Sequence, residues 1–295
     1  MIRLVASDLD GTLLNARHRM DATIRRSLGR VLAAGAHFSV ATGRFMASNG
    51  AYGFDGLPCE AVSSNGAVIY DRTGELVMHH SLDLGFVEAL LREFPAISAE
   101  FTVVDGGSAR MLVPGPLKEH LLQMRPASRL KRIARALSGP VVDRTAAEYR
   151  YEVPVAEILA SDVCKLTFRV HDEARRREVL SFLASWSHAV VNAPSSPTLF
   201  EVTNVGVDKG TAVAWLAGYL GIGPDEVAVY GDGGNDCAML RRFADYGHAF
   251  APSSGSAAAR EAASEVIGPC ALHAVAHHMV RLVGSGDGAS TAASM

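Results

Sequence analysis

Two carboxylates stand at the end of the first apolar run of the chain. Residues 2–6 have the composition of a buried strand, and Asp8, Asp10 and Gly11 come directly after it. Residues i and i+2 of a strand point to the same side, so these carboxylates repel each other unless a cation lies between them. An acidic turn would explain the pattern without any function, whereas a metal site would give the pair a chemical role.

Three further polar segments follow predicted strands or begin a predicted helix. They are Thr42-Gly43-Arg44, Lys209-Gly210-Thr211 and Gly231-Asp232-Gly233-Gly234-Asn235-Asp236. In an open parallel sheet, ligands bind beyond the carboxyl ends of the strands, so we expect these segments to converge with Asp8 and Asp10.

The residue types in these segments suit phosphoryl transfer. Hard oxygen ligands are those that Mg²⁺ prefers, while a lysine and the backbone N–H groups near glycines can hold phosphate oxygens. One carboxylate can attack phosphorus to form an aspartyl-phosphate, and a second can protonate the leaving oxygen and then deprotonate water. The first three segments are each weak evidence alone and residues 231–236 are stronger evidence. All four in this order are improbable by chance.

The sequence resembles the haloacid dehalogenase superfamily, specifically its Cof-type phosphatases with a C2B-type cap. The resemblance runs from residue 8 to residue 240 and is carried by DLDGTLL, SVATGR, SSNGA at 63–67, GVDKGTA at 206–212 and GDGGNDCAML at 231–240. It implies Mg²⁺ as cofactor. An aspartate at position 10 is what the phosphatases and phosphomutases of this superfamily have, which disfavours carbon–halogen chemistry.

The resemblance also implies a role for each matched position. Asp8 looks like the nucleophile and a metal ligand, and Asp10 looks like the acid/base that binds the metal through its carbonyl. Asp232 and Asp236 look like the other metal ligands. The positions similar to the phosphate-binding ones of the family are Leu9, Thr42, Gly43, Lys209 and Asn235.

Other positions keep two interpretations. Arg44 either forms an ion pair or contacts substrate, and Asn65 is either an ordinary Asn-Gly turn residue or a substrate contact. Residues 247–255 depart from the glycine-asparagine loop that the family commonly has at this place, so the role of the loop is open. His248, within it, is more often a structural residue than a ligand.

The periodicity predicts an α/β fold made of two parts. Strands alternate with helices over residues 1–82 and 205–283, as in a Rossmann-like core with a parallel sheet, and Asp21 can cap the first helix. Residues 83–204 contain predicted strand pairs, with a hairpin turn at 105–107, and helices, which indicates an inserted α+β cap domain. The Gly-, Ser- and Ala-rich residues 284–295 are expected to be a disordered tail. Polar candidates for specificity in the cap are Arg125, Arg129 and His188.

The composition excludes several classes of protein. The 295 residues carry a net charge of −3 without a basic block, which argues against a nucleic-acid partner. No apolar stretch is long enough for a membrane span, and Asp8 and Asp10 interrupt the region that a signal peptide would need. The four cysteines form no CxxC pair and are expected to pack as small hydrophobic residues in a reduced, cytoplasmic protein.

The sequence therefore predicts a Mg²⁺-dependent hydrolase of small phosphomonoesters, such as sugar phosphates, that acts through an aspartyl-phosphate. A phosphomutase of the same superfamily would share every motif. A non-catalytic phospho-ligand-binding protein would be expected to lack a motif aspartate. A phosphoacceptor signalling domain would need neither the large insert nor Asp10. The oligomeric state is left open.

Overall fold

The computed structural model describes residues 1–124, 149–194 and 196–284. The strands in these ranges are β1 (Leu4–Ser7), β2 (His37–Ala41), β3 (Glu60–Ser63), β4 (Val68–Tyr70), β5 (Leu76–His79), β6 (Glu100–Asp105), β7 (Ser108–Leu112), β8 (Tyr149–Arg150), β9 (Asp162–Arg169), β10 (Val190–Asn192), β11 (Leu199–Asn204), β12 (Val227–Tyr230), β13 (Ala249–Pro252) and β14 (Glu265–Ile267). The α-helices are α1 (Ala22–Ala33), α2 (Leu84–Glu93), α3 (Leu117–Gln123), α4 (Val155–Leu159), α5 (Glu173–Ser185), α6 (Lys209–Tyr219), α7 (Cys237–Ala244), α8 (Ala257–Ala262) and α9 (Ala274–Gly284).

The first sheet has the strand order β14-β13-β12-β1-β2-β3-β4-β5. Neighbouring strands from β14 to β3 are parallel, as predicted for the core, whereas β4 and β5 pair antiparallel at one edge. The antiparallel edge arises because only the short turn Ser64–Gly66 separates β3 from β4. Such a tight connection reverses the chain, while a parallel pair needs a long crossover.

The first sheet is covered on both faces, which explains why β1 is apolar throughout its length. Val5 packs in one cluster with Leu28 of α1, and Leu4 packs in another with Leu216 of α6. Central parallel strands that are buried on both faces require apolar residues at consecutive positions.

The second sheet has the strand order β10-β11-β9-β6-β7-β8. Its pairs are antiparallel except for β7 and β8, which are parallel. One face packs Phe101, Phe168 and Phe200 against α2 and α5. Strand residues alternate between faces, so Thr102, Lys165 and Glu201 lie on the opposite one.

The two segments that link the sheets lie side by side. Asn204 Nδ2, at the end of β11, donates a hydrogen bond to the carbonyl oxygen of Ser81, just before α2. The chain therefore leaves the first sheet and returns to it at one place.

Some predictions concern other parts of the chain. Arg125, Arg129 and the tail from residue 285 lie outside the described residues.

Within the described ranges, no helix has the length and apolar character needed to cross a membrane.

Candidate active site

Three carboxylates gather beyond the carboxyl ends of two neighbouring parallel strands. Asp8 directly follows β1, and Asp232 and Asp236 lie in the turn after β12. One carboxylate oxygen from each lies within 4.8 Å of the others. The pairing of β1 with β12 therefore brings together residues that are more than 200 positions apart in the chain.

Lys209 supplies a counter-charge beneath this cluster. Asp208 caps α6 by accepting hydrogen bonds from the backbone N–H groups of Gly210 and Thr211, at 2.6 and 2.9 Å, which fixes the start of the helix at Lys209. The Lys209 ammonium is fully buried and donates to Asp8 Oδ1 at 2.7 Å and to Asp236 Oδ1 at 2.6 Å.

The charges of this cluster do not balance. Burial raises the pKa of Asp8 to about 7; the Lys209 charge opposes this rise and the Asp236 charge adds to it. Burial and the Asp236 charge raise the pKa of Asp232 to about 6. Burial opposes protonation of Lys209, but the Asp236 and Asp8 charges raise its pKa on balance. One ammonium among three carboxylates leaves an excess of negative charge, and hard oxygen donors with such an excess fit a divalent cation such as Mg²⁺.

Asp10 is not part of the cluster of three carboxylates and has its own partners, Arg44 and His18. Arg44 Nε donates to Asp10 Oδ2 at 2.6 Å, and Arg44 Nη2 donates to the other carboxylate oxygen. His18 Nδ1 lies 2.7 Å from Asp10 Oδ1. Burial works to raise the pKa of Asp10, but the hydrogen bond and charge of Arg44, together with those of His18, lower it on balance.

The first turn has room only for glycine at position 11. Gly11 has a φ of +81°, and a Cβ added there would lie 2.3 Å from Asp232 Oδ2. The next residue, Thr12, donates its hydroxyl to Asp232 Oδ1 at 2.9 Å. The turn after β1 is therefore packed directly against the turn after β12.

The second turn, Thr42–Gly43, rests on the turn after β3. The backbone N–H of Asn65 donates to the Thr42 carbonyl at 2.9 Å. Asn65 has a left-handed φ of 59°, and its side-chain oxygen accepts from Asn235 Nδ2 at 3.2 Å. Asn65 is thus a turn residue whose side chain also touches a predicted phosphate-binding residue.

A cavity of about 700 Å³ lies between the two sheets. Of the residues predicted for the site, Asp8, Asp10, Thr42, Gly43, Arg44, Asp232 and Asn235 line it. Leu9, Asn65, Lys209 and Asp236 are buried behind this lining.

The sequence analysis missed the residues that enclose the cavity from the second sheet. They include Glu100, Thr102, Tyr149, Lys165, Thr167 and Glu201. Lys165 and Thr167 alternate with apolar residues along β9. That alternation indicates a polar strand face, but no motif connects it with a site.

The remaining candidates lie elsewhere. His188 is exposed and stacks on Trp186 at 5.8 Å between ring centroids. His248 lies before β13, outside the carboxylate cluster. The loop 247–255 approaches the site at its end, since a Cβ added to Gly255 would lie 3.2 Å from the Cα of Asp232. The four cysteines are free and buried, as expected.

Comparisons with known proteins identify the family and the fold of the chain. The chloroplastic endoribonuclease YBEY of Arabidopsis thaliana is 28% identical over 88% of this chain, but this chain spans only 43% of that relative's length. The HMP-PP phosphatase of Cronobacter sakazakii is 28% identical, with 95% of each chain covered. A haloacid dehalogenase-like hydrolase structure from B. subtilis has a TM-score of 0.75 at 22% identity, over 95% of this chain and 100% of that one, which shows a shared fold.

The family model described as haloacid dehalogenase-like hydrolase matches residues 5–279. This match confirms the resemblance seen in the motifs, since it covers the first and last of them and everything between. The chain belongs to the haloacid dehalogenase-like hydrolase family.

Proposed function

We propose that the protein is a Mg²⁺-dependent phosphatase that hydrolyses small phosphorylated metabolites through an aspartyl-phosphate on Asp8. The observation that carries this proposal is the meeting of Asp8, Asp10, Asp232 and the Thr42–Gly43 turn at one cavity. Family membership and the phosphatase name of the Cronobacter relative support a phosphoric monoester hydrolase. Sugar phosphates or similar phosphomonoesters are the proposed substrate class.

The carboxylates of Asp8, Asp232 and Asp236 and the backbone carbonyl of Asp10 would hold the metal. When bound, Mg²⁺ offsets the negative charge that the carboxylates and a phosphate group bring together. Five groups would bind or orient the phosphate oxygens: the side chains of Thr42, Lys209 and Asn235 and the backbone amides of Leu9 and Gly43.

In the first chemical step, an Asp8 carboxylate oxygen bonds to phosphorus as the bond between phosphorus and the leaving oxygen breaks. Asp10 donates the proton that the leaving oxygen needs. In the second step a water oxygen attacks phosphorus while Asp10 takes the proton from that water. The bond between phosphorus and Asp8 breaks, which releases free phosphate and restores the Asp8 carboxylate.

The contact between Arg44 and Asp10 suits one half of this cycle. With Arg44 bound, Asp10 stays ionised, which is the form that accepts a proton from water. Donation to the leaving oxygen requires Asp10 to carry a proton, so Arg44 has to move off the carboxylate first. A phosphate group entering the cavity is an anion that can attract this guanidinium.

We further propose that residues 83–204 form a cap domain over a core made of residues 1–82 and 205–283. The adjacent links at Ser81 and Asn204 support an insertion at one point. A cavity between the two sheets would exclude water while Asp8 is phosphorylated.

The test is phosphate release from a panel of sugar phosphates, nucleotides and p-nitrophenyl phosphate, with Mg²⁺ and with EDTA. We expect release that depends on the metal and is lost in Asp8→Asn. A folded, Mg²⁺-bound protein that releases phosphate from none of these compounds would contradict the proposal. Assaying the same reactions for isomerised sugar phosphate distinguishes a phosphomutase from a hydrolase.

A further inference from the structure

The second sheet turns a row of buried polar residues toward the first sheet. Lys165 on β9 lies in register with Thr102 on β6 and with Thr203 on β11, while Glu201 is opposite Thr167. Lys165 and Glu201 are only 3% and 5% exposed. A buried ion pair contributes little net stability, because the loss of hydration offsets most of the attraction between the charges. The location of the Lys165–Glu201 pair therefore says more about its role than its contribution to stability does.

This ion pair reaches across to the turn that we propose binds phosphate. Lys165 Nζ donates to Glu201 Oε1 at 2.7 Å and to the carbonyl oxygen of Gly43 at 2.7 Å. A Cβ added to Gly43 would lie 3.2 Å from Glu201 Oε1, so the pair is packed directly on the turn. The contact joins strands of the second sheet to a loop of the first.

The contact with Gly43 fixes more than one oxygen atom. The Gly43 carbonyl and the Arg44 N–H belong to the same planar peptide group, so a hydrogen bond that orients one orients the other. That N–H donates to Thr42 Oγ1 at 3.1 Å. Lys165 thereby sets the direction of a hydroxyl that lines the cavity.

Glu201 continues the network to the turn after β12. Its Oε1 accepts a hydrogen bond from Asn65 Nδ2 at 3.4 Å, and Asn65 Oδ1 accepts one from Asn235 at 3.2 Å. Asn235 lines the cavity. The two charges of the pair thus connect to two separate groups expected to contact phosphate.

We infer that Lys165 and Glu201 are positioning residues, which hold Thr42, Gly43 and Asn235 in the geometry that binds the transferring phosphoryl group. This inference rests on the proposed function. If these residues have that role, the phosphate site is complete only when the second sheet contacts the Gly43 turn. Replacing either residue should impair the reaction at phosphorus to the same extent whatever the leaving group.

The experiment compares Lys165→Met, Glu201→Gln and the double variant with wild type, and uses Lys118→Met as a matched control. Lys118 lies exposed on α3. For acetyl phosphate, p-nitrophenyl phosphate and the best sugar phosphate alike, we expect kcat to fall by up to about 100-fold, since small misplacements of reacting groups cost that much. KM should change far less. A loss confined to the sugar phosphate would show direct contact with the leaving group and overturn the inference.

Binding of inorganic phosphate in the presence of Mg²⁺, measured by calorimetry, gives a readout that needs no turnover. We expect weaker binding in both single variants. The double variant should lose no more than Lys165→Met alone, because the two residues act through one network. It also leaves no unpaired charge buried, so it serves if a single variant does not fold.

The two proposals fail in different ways. A wild type that releases phosphate from no substrate contradicts the proposed function. A wild type that is active, with folded variants that match it in kcat and in phosphate binding, overturns the role of Lys165 and Glu201 alone.

Discussion

Arg44 Nε donates a hydrogen bond to Asp10 Oδ2 at 2.6 Å, so the second motif of the chain supplies the counter-charge of the first. The contact has two points, since a second nitrogen of the guanidinium donates to the other carboxylate oxygen. The same guanidinium lies 4.6 Å from the centroid of the Tyr52 ring. Arg44 is therefore held in the cavity by an anion on one side and an aromatic face on the other.

Replacing Arg44 should lower activity. We expect Arg44→Ala to reduce kcat/KM about 10- to 100-fold, the equivalent of a charge-assisted hydrogen bond lost from the transition state. Arg44→Lys should recover little, because an ammonium cannot bind a phosphate group through two parallel hydrogen bonds as a planar guanidinium can. Steady-state kinetics on the best substrate measure both variants. Arg92→Ala, exposed on α2, is the control. Wild-type kinetics in Arg44→Ala would remove Arg44 from the mechanism.

Removing one carboxylate of the cluster should raise the stability of the metal-free protein and reduce the stabilisation that Mg²⁺ provides. Asp232→Asn relieves repulsion in the cluster, so the metal-free variant should have a higher Tm than wild type. Saturation by Mg²⁺ should stabilise wild type by about 2.7 kcal/mol when the free ion is about 100 times Kd, and the variant much less at the same concentration. Thermal unfolding with MgCl₂ and with EDTA measures both effects. Asp245→Asn, exposed just after α7, should behave as wild type. An unchanged Mg²⁺ shift in Asp232→Asn would place the metal elsewhere.

A methyl group at position 43 should disturb the site more than the fold. A Cβ on Gly43 would lie 2.8 Å from Asn65 Oδ1 and 3.2 Å from Glu201 Oε1, so both side chains would have to move. We expect Gly43→Ala to lower kcat by about tenfold or more, in line with the cost of misplaced groups. Gly29→Ala on α1 is the contrast, because no atom other than the backbone of its own helix and its chain neighbours lies within 4 Å of the added Cβ. It should raise the free energy of unfolding by up to about 1 kcal/mol and leave kcat unchanged. Equal kcat values for the two variants would contradict the packing argument.

The pair of Asp21 with His273 should make stability depend on pH in the acid range. Burial works to raise the pKa of Asp21, but the hydrogen bond to His273 and the helix cap lower it to about 2. The unfolded carboxyl has a pKa of about 3.9. Asp21 therefore contributes stability that is fully present above about pH 4 and is lost as the pH falls through 2.

The measurement is thermal unfolding of wild type and Asp21→Asn between pH 7 and pH 2 in steps. Asparagine can still cap α1, so this variant removes mainly the charge. We expect the variant to be less stable than wild type at neutral pH and the difference to shrink below pH 4. A difference that stays constant down to pH 2 would show that the charge of Asp21 contributes nothing.

Local patterns were enough to predict much of the fold. The N-cap at Asp21, the strand His37–Ala41 and the hairpin turn at 105–107 follow from residues next to one another, and the structure confirms each of them. The meeting of Asp8 with Asp232 was also predictable, because the ends of neighbouring parallel strands share one edge of a sheet.

Contacts that depend on distant parts of the chain were not predictable. Lys165 meets Gly43 across 122 positions, and nothing near either residue indicates the other. Thr12 lies inside the first motif, but nothing in that motif indicates that its hydroxyl bonds to Asp232, 220 positions away. The antiparallel edge of the first sheet depends on how one short turn closes, which composition alone leaves undetermined.

The hydrogen bond between Asn204 and Ser81 has a consequence for the way selectivity can change. The chain leaves the first sheet and returns to it at this one point. An insertion or exchange between the two residues can therefore change the second-sheet side of the cavity without displacing the first-sheet side. The first sheet carries the residues of the proposed chemistry, and on the same proposal the second sheet would face the part of a substrate that differs between metabolites. On the proposed function, reaction type and substrate choice would be encoded in separate stretches of sequence that meet at the Gly43 turn, where an exchanged second sheet would have to supply an equivalent of Lys165.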